Sequence, residues 1–124
     1  MSYKNNWEDN GLHRKFTGKI TGQEILESNL SIQVNPRFDQ IKYVLNDFLS
    51  ITEFEITTDD VNIISTIDNV AAISKKSLKI AIVADNTDLL KWINEYLKMM
   101  QGSPYATAVF STSDDALKWV AQVG

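Results

Sequence analysis

The sequence predicts an α/β fold, in which a mainly parallel, five-stranded sheet carries an N-terminal hairpin at its edge and helices on both faces. Two runs, residues 41–48 and 78–85, are rich in β-branched residues and almost continuously apolar. Strands covered on both faces have this pattern, because neither face needs polar side chains. From Leu12 onward such runs alternate with helical patterns, which is typical of parallel strands joined by right-handed crossovers.

The size and composition indicate one folded domain spanning residues 1–124. The chain has 124 residues, of which 44% are hydrophobic and 23% charged, with only 2 prolines. A chain of this length can bury enough apolar surface to fold without disulfides or metals. Because the sequence contains no cysteine, thiol nucleophiles and thiolate metal sites are excluded.

Charge and hydropathy exclude several classes of partner. The formal net charge of −4 argues against binding to nucleic acid, since a polyanion attracts a basic face. The N-terminus lacks an apolar signal segment, and no stretch approaches the roughly 18 apolar residues of a membrane span. We therefore expect a cytoplasmic protein that neither binds nucleic acid nor spans a membrane.

The first predicted element is a hairpin. Asn10 and Gly11 lie between Trp7 and the run at residues 12–20, and Asn-Gly accepts the positive φ angles of a two-residue turn. Along residues 12–20 the large apolar side chains share one face with Arg14, and polar side chains occupy the other. This alternation predicts a strand that is solvated on one side, with the hairpin at the edge of the sheet.

A short helix and the first buried strand follow. Thr21 and Glu24 have the spacing of a capping box, and the Asn-Pro pair at residues 35–36 ends the helix. After the strand at residues 41–48, residues 49–56 carry four large apolar side chains where polar turn residues would be expected. We interpret residues 49–56 as an apolar loop.

The remaining elements continue the alternation. Residues 57–60 cap a long second helix that reaches about Lys76. After the strand at residues 78–85, a third helix begins at the Asp-Asn-Thr sequence that ends it. A last strand at residues 105–110 leads to a fourth helix, capped by residues 111–114.

The carboxyl ends of the predicted strands carry polar side chains. Ligands of open α/β sheets bind beyond this edge. It would collect Asn46, Asp47, Asp85, Asn86, Thr87 and residues 111–113. One interpretation is a polar pocket in which Asp47 and Asp85 hold a cation or perform acid–base chemistry. The other, which we favour, is that these residues end strands and cap helices.

Other signatures of chemistry are missing from the sequence. His13 is the single histidine, so a histidine-based triad or metal site lacks its parts. No glycine-rich turn follows a strand to hold a phosphate, and no cofactor is predicted. The basic residues His13, Arg14, Lys15 and Lys19 are interpreted as a solvated edge that discourages strand pairing.

The second and third helices and the apolar loop carry more apolar residues than one buried face requires. These side chains either fill a generous core or form a surface for a partner or ligand, and both interpretations stay open. A homodimer is predicted through Trp92, Tyr96, Met99 and Met100, or through Phe54 and the helix that contains Val61.

Four segments of the sequence resemble the SpoIIAA-like family of bacterial proteins. They are residues 16–25 (FTGKITGQEI), 35–39 (NPRFD), 43–48 (YVLNDF) and the strand Lys79–Val83. The resemblance covers most of the chain, from about Leu12 to Val120. That family is related to the STAS domain of anti-sigma-factor antagonists and, more loosely, to the lipid-binding CRAL-TRIO domain.

The resemblance implies an α/β sandwich and a non-enzymatic role, in which a face bearing a serine or threonine docks onto a partner and phosphorylation switches the contact. In the antagonists the switch serine belongs to an Asp-Ser-Ser-Gly type of motif at the start of the helix after this strand. That motif is absent from residues 47–52 and 57–60 of this chain. Ser50, Thr57 and Thr58 lie in the matching region, where roles in a turn or a cap also account for them.

The functional hypothesis is a non-catalytic regulatory or protein-interaction module that docks through the loop and helix after the central strand. Its site residues are Asp47, Leu49, Ser50, Ile51, Phe54, Thr57, Thr58 and Asp85. The alternative is a carrier of a small apolar or lipid-like ligand beneath the apolar loop and the helix that contains Val61. Enzymatic activity is not expected, since nothing in the sequence specifies a substrate.

Overall fold

The computed structural model describes residues 2–75 and 77–122, which form one five-stranded sheet, four α-helices and a short 3₁₀ helix. In chain order the elements are β1 (Tyr3–Trp7), β2 (Gly11–Thr21), α1 (Gly22–Gln33), the 3₁₀ helix (Pro36–Gln40), β3 (Tyr43–Glu55), α2 (Thr58–Ser74), β4 (Lys79–Val83), α3 (Thr87–Met99), β5 (Ala106–Phe110) and α4 (Ser113–Val120). Within those residues, no helix is long and apolar enough to cross a membrane.

The strands lie in the sheet in the same order as in the sequence, β1-β2-β3-β4-β5. β1 pairs with β2 antiparallel at the edge, and the other three pairs are parallel. Because right-handed crossovers that always step in one direction return on the same side, α1, α2 and α3 cover one face of the sheet. α4 leaves the last strand and packs on the opposite face, against β3, β4 and β5. The predicted fold class is thus confirmed.

The two faces carry separate cores of unequal size. The larger core lies between the sheet and helices α1–α3, and it includes Leu12, Phe16, Val44, Ile80 and Ile82. The smaller core lies beneath α4 and contains Tyr43, Leu45, Ala81, Val83 and Ala116. Successive residues of β3 and β4 therefore face different cores, which explains why those strands are apolar at nearly every position.

Each α-helix begins at a residue whose side chain accepts a hydrogen bond from the first turn. Thr21 Oγ1 accepts from the Glu24 amide of α1, and Thr57 and Asp60 form a reciprocal capping box at α2. Asn86 and Thr112 cap α3 and α4 in the same way. The helices therefore begin where the sequence indicated, at short polar side chains that precede apolar residues with helical spacing.

The predicted hairpin is confirmed, but its turn does not lie at Asn10 and Gly11. Trp7 pairs with Leu12, and the Glu8 amide donates to the Gly11 carbonyl at 2.8 Å, so the turn is formed by the two residues between them, Asp9 and Asn10. Among the described residues positive φ angles occur at Gly18 and Gly102, and Gly11 is not one of them. Gly11 has a different reason to lack a side chain, because the Tyr43 ring lies where its Cβ would be.

The apolar loop predicted at residues 49–56 is wrong as well, because β3 continues without interruption to Glu55. Its first half pairs with both β2 and β4, and the last pair with β4 joins Asp47 to Val83. Its second half pairs with β2 alone within the described part of the chain. The β-branched and aromatic residues of this segment extend the strand past its neighbour β4.

The second helix ends sooner than predicted. α2 stops at Ser74, and Lys76, the predicted end, lies outside the described residues. The Lys75 amide donates to the Ala71 carbonyl at 3.0 Å, which closes the last turn. On α2 the side chains of Val61, Ile64 and Ala72 are buried, whereas Val70 and Ile73 are exposed, so only part of its apolar surface faces the core.

Candidate functional site

The predicted site residues lie along the carboxyl half of β3 and the start of α2, with Asp85 just beyond β4. Ser50, Thr57, Thr58 and Asp85 are exposed, and Asp47 is half-buried. Asp47 does not end its strand as predicted, since it lies within β3 opposite Val83, the last residue of β4, and Asp85 lies two residues beyond Val83.

Several polar side chains at this edge accept hydrogen bonds from the backbone. Asp47 Oδ1 accepts a hydrogen bond from the Leu49 amide at 2.8 Å. Asn86 Oδ1 accepts hydrogen bonds from the amides of Asp88 and Leu89 in the first turn of α3. Thr57 Oγ1 accepts from the Asp60 amide at 3.1 Å. Within residues 2–75 and 77–122, no three His, Asp or Glu side chains come together in a way that could hold a metal ion. This edge therefore presents caps and turns in place of a carboxylate pocket.

The apolar side chains of the extended strand divide between core and surface. Ile51 and Phe54 are half-buried and pack against the larger core, whereas Leu49 is 39% exposed. A shallow cleft of about 330 Å³ lies where β3 extends beyond the end of β4. Residues 51–55 and Asn86 line it. The backbone amides and carbonyls of a strand point alternately towards its two neighbours in the sheet. At residues 51–55 the groups that point away from β2 have no strand to pair with among the described residues, so they face the cleft.

A buried polar network lies beneath helices α1–α3, and the sequence did not predict it. Arg14 is 2% exposed, so its interpretation as part of a solvated basic edge is wrong. Its Nε donates to Asn46 at 2.9 Å, and its two terminal nitrogens donate to Ser28 at 2.8 Å and Asn29 at 2.7 Å. Burial lowers the pKa of Arg14 to about 10, with Asp68 acting in the opposite direction. The guanidinium therefore remains charged at neutral pH.

Asp68 is the acidic member of this network. It is 5% exposed, and it accepts hydrogen bonds from the Tyr96 hydroxyl at 2.7 Å, from Asn29 at 3.2 Å and from Gln33 at 3.0 Å. Burial raises the pKa of Asp68 to about 6, although the Tyr96 hydrogen bond and the Arg14 charge both lower it. Asn29 thus bridges the two charges, since it accepts from Arg14 and donates to Asp68.

A cavity of about 90 Å³ adjoins the network. Most of its lining side chains are apolar, and it runs past Leu78 and Ile82 on the sheet side and Trp92 on the helix side. Arg14, Asn46 and Asp68 also line it. An empty apolar cavity of this size costs roughly 2 kcal/mol of stability, at about 24 cal/mol per Å³.

Tyr105 lines the same cavity and carries an unpaired hydroxyl. Its side chain is 3% exposed, and the hydroxyl has no hydrogen-bond partner among the described residues. Burial raises the pKa of Tyr105 to about 12, so the hydroxyl stays protonated. A buried donor without an acceptor is destabilising.

Two matched variants compare the unpaired hydroxyl of Tyr105 with the hydroxyl of Tyr96, which donates to Asp68. Tyr105→Phe is expected to leave the free energy of unfolding unchanged or to raise it by about 1 kcal/mol, because it removes an unsatisfied group. Tyr96→Phe is expected to lower it by about 1.5 kcal/mol, because Asp68 loses a charge-assisted hydrogen bond. Urea titration of both variants checks the prediction, and a Tyr105→Phe protein that is the less stable of the two would contradict it.

The network could have been found from the hydrophobic pattern. Arg14 falls on the apolar face of β2, between Leu12 and Phe16. Asp68 falls one turn after Ile64 and one turn before Ala72, on the buried face of α2. A charged residue at a core position is rare unless a partner accompanies it, so each charge indicated the other.

Several of the residues predicted to form a homodimer are buried in the larger core of this chain. Tyr96 and Met100 are 9% and 2% exposed and belong to the larger core, and Val61 is buried there too. Trp92 and Met99 are half-buried against the same core.

His13, predicted to be a surface residue, is half-buried, and its Nε2 lies 3.2 Å from Glu8 Oε1.

Comparison with solved structures identifies the fold. The structure resembles an uncharacterized protein of the DUF3478 family with a SpoIIAA-like fold from Shewanella loihica PV-4, at 17% sequence identity and a TM-score of 0.53, over 96% of this chain and 92% of that one. It also resembles the anti-sigma factor antagonist SpoIIAA in its unphosphorylated form, at 6% identity and a TM-score of 0.62, over 98% and 99% of the two chains. No protein-family model and no curated protein matches the sequence.

The chain is therefore an α/β protein built around a sheet with one antiparallel edge. In particular it has the SpoIIAA-like fold, as its sequence segments indicated. At these identities the likeness establishes the fold alone, and the function has to be argued from the residues of this chain.

Proposed function

We propose that this protein is a non-catalytic regulatory module that binds a protein partner through the second half of β3 and the start of α2. The observation that carries the proposal is the unpaired edge of β3 at residues 51–55, beside an open cleft. Extended peptides add to such edges through backbone hydrogen bonds, while neighbouring side chains select the sequence. The similar structure of an anti-sigma factor antagonist supports a regulatory role for this fold.

The charge of this surface defines the partner. Glu53 and Glu55 line the cleft and are exposed, and the exposed Asp85 precedes the lining residue Asn86. The exposed Leu49 lies on the same strand as Glu53. Lys19 neutralises Glu55 through a 3.0 Å ion pair. The remaining acidic side chains favour an extended partner segment with basic residues, because complementary charges steer association.

Phosphorylation of Thr57 is not expected to drive this contact. The Thr57 hydroxyl accepts from the Asp60 amide, and the Thr57 amide donates to the Asp60 carboxylate at 2.9 Å. A phosphate at Thr57 would stand against Asp60 and near Asp59, whose like charges oppose it. Regulation, on this proposal, lies in the partner or in the exposed Ser50 and Thr58.

Site-specific photo-crosslinking tests the docking surface. A photoreactive amino acid at Ser50, on β3, is expected to capture a discrete partner in the native host. The same group at Lys118, on α4, is the control, because α4 packs on the first half of β3 and on β4 and β5, beside Tyr43, Leu45 and Ala81. Identical adducts from both positions, or an adduct from Lys118 alone, would refute the proposed surface.

A matched pair of leucine variants then measures its contribution to binding. Leu49 and Leu117 are 39% and 37% exposed, on β3 and α4 respectively. Leu49→Arg is expected to weaken binding of the captured partner by roughly tenfold or more, since it places a cation among acidic groups that attract a basic segment. Leu117→Arg should leave the affinity unchanged. Calorimetric titration of both purified variants checks this, and equal effects would contradict it.

A second candidate function is the binding of a small apolar ligand, which the cavity beneath α1–α3 favours. The cavity lies deeper than the position proposed from the sequence, since Phe48, Ile56 and Val61 line it and Leu49 does not. Native mass spectrometry of the purified protein tests this function. A reproducible excess mass that is lost on denaturation supports it, and failure to bind any added apolar probe would refute it.

Homodimerisation and a cytoplasmic location are part of the same proposal. Exposed apolar side chains on α2, among them Val70 and Ile73, and Val34 just after α1 provide surface for self-association. A radius of gyration near the roughly 14 Å of a compact monomer of this length would count against a dimer.

A further inference from the structure

The polar wall of the cavity is short of hydrogen-bond acceptors. Each terminal nitrogen of Arg14 has one protein acceptor, Ser28 or Asn29, and each carries a second N–H. No described carboxylate forms a direct ion pair with Arg14, because Asn29 stands between it and Asp68. Tyr105 also lines the cavity, and its hydroxyl lacks a partner among the described residues. A buried cation with unused donors favours an acceptor that carries negative charge.

The rest of the cavity is lined mostly by apolar side chains. Its lining includes Leu78 and Ile82, which are roughly 13 Å apart at about 3.3 Å per strand residue, a distance that an unbranched chain can follow. Its volume of about 90 Å³ leaves room for a small ligand. The partly exposed lining residues Ile25, Ile56 and Trp92 lie nearest the carboxyl ends of the strands, where a ligand can reach solvent.

We propose that this cavity is a binding site for an unbranched aliphatic carboxylate, whose head group accepts hydrogen bonds from Arg14 and whose chain lies along the apolar length of the cavity. This inference rests on the second candidate function, ligand binding, and names its ligand class. A carboxylate has two acceptor oxygens and no donor, which matches the unused donors of Arg14. The docking function at β3 does not depend on it.

The opposing charge of Asp68 does not displace such a ligand. The Asp68 carboxylate already accepts from Tyr96, Asn29 and Gln33, so it does not compete for the unused donors of Arg14. Water alone is the other occupant to consider. Water satisfies polar groups but leaves apolar cavities dry, so water at Arg14 would leave the apolar length of the cavity empty.

Titration calorimetry of the unmodified protein with three probes separates head group from chain. Hexanoate carries both, 1-hexanol has the chain without the charge, and acetate has the charge without the chain. Hexanoate is expected to bind roughly ten- to a hundredfold more tightly than 1-hexanol, the usual gain from charge-assisted hydrogen bonds. Acetate is expected to show no saturable binding, because nothing would fill the apolar length.

Two variants locate the probes in this cavity. Val44 lines the cavity on β3, and Val44→Ile adds a methyl group there, so hexanoate affinity should fall several-fold. Val109→Ile on β5, outside the lining residues, is the matched control and should bind hexanoate normally. Arg14→Lys should reduce the preference for hexanoate over 1-hexanol, and the probe comparison in the unmodified protein remains decisive if that variant does not fold.

The outcomes separate this inference from the function on which it rests. If 1-hexanol binds as tightly as hexanoate and Val44→Ile weakens both, the head-group assignment is overturned while ligand binding stands. If neither hexanoate nor 1-hexanol binds saturably, the carboxylate inference and the ligand-binding function are both overturned. If hexanoate binds but Val44→Ile has no more effect than Val109→Ile, the ligand lies elsewhere and the inference also fails.

Discussion

Replacement of Arg14 by Met is expected to lower the free energy of unfolding by about 3–5 kcal/mol at neutral pH, the range observed when one member of a buried charged group is removed. Methionine keeps most of the aliphatic length of arginine, so the loss comes from the guanidinium. Without it Asn46, Ser28 and Asn29 lose their donor, and Asp68 remains as a buried charge with no cation near it.

Arg37→Met is the matched control. Arg37 is exposed on the 3₁₀ helix, where its guanidinium lies 6.0 Å from the centre of the Trp7 ring. An exposed contact of this kind contributes about 0.5–1 kcal/mol at most. Urea titrations of both variants measure the difference, and an Arg14→Met protein within about 1 kcal/mol of the unmodified one would show that the network does not stabilise the fold.

The double variant Arg14→Met, Asp68→Asn tests whether the two charges act together. If they are coupled through Asn29, the double variant loses less stability than the sum of the single losses, because removal of the second charge relieves the first. Strict additivity would mean that Asn29 and the other neutral partners account for the whole effect of Arg14.

The sequence was sufficient for the fold because the local signals agree with one another. The caps at Thr57 and Asn86, the apolar runs and the alternation in β2 all depend on neighbours within a few residues. Consistent local signals of this kind specify strand and helix order, and crossover handedness then fixes the topology. Element ends were less certain, as the extension of β3 to Glu55 demonstrates.

The hydrophobic pattern places Arg14 and Asp68 inward, but the contacts of the network and the cavity could not be derived in the same way, since they depend on residues far apart in the chain. Asn29 and Asp68 are 39 positions apart, and Arg14 and Asn46 are 32 apart. The basic neighbours His13 and Lys15 made Arg14 look like a surface residue, although its alternation placed it inward. A cavity leaves no local signal at all, because it results from the shapes of side chains on seven different elements.

The second large effect is a dependence of stability on pH that comes from Asp68. Burial raises the pKa of Asp68 in the folded protein to about 6, from its ordinary value of 3.8. Between these two pH values the folded state binds more protons at this site than the unfolded state does. The free energy of unfolding therefore falls as the pH rises from about 4 to about 6, and it is independent of this group above and below that range.

At 1.36 kcal/mol per pKa unit, the full change amounts to about 3 kcal/mol. Asp68→Asn should remove this part of the pH profile, whereas Asp59→Asn, at an exposed position of the same helix, should leave it in place. Arg14→Met should extend the profile to higher pH, because the Arg14 charge lowers the pKa of Asp68. Unfolding measured by urea at a series of pH values decides the matter. If the profiles of the unmodified protein and Asp68→Asn run parallel, Asp68 ionises in the folded state as it does in water, and the buried network cannot have the charge distribution described above.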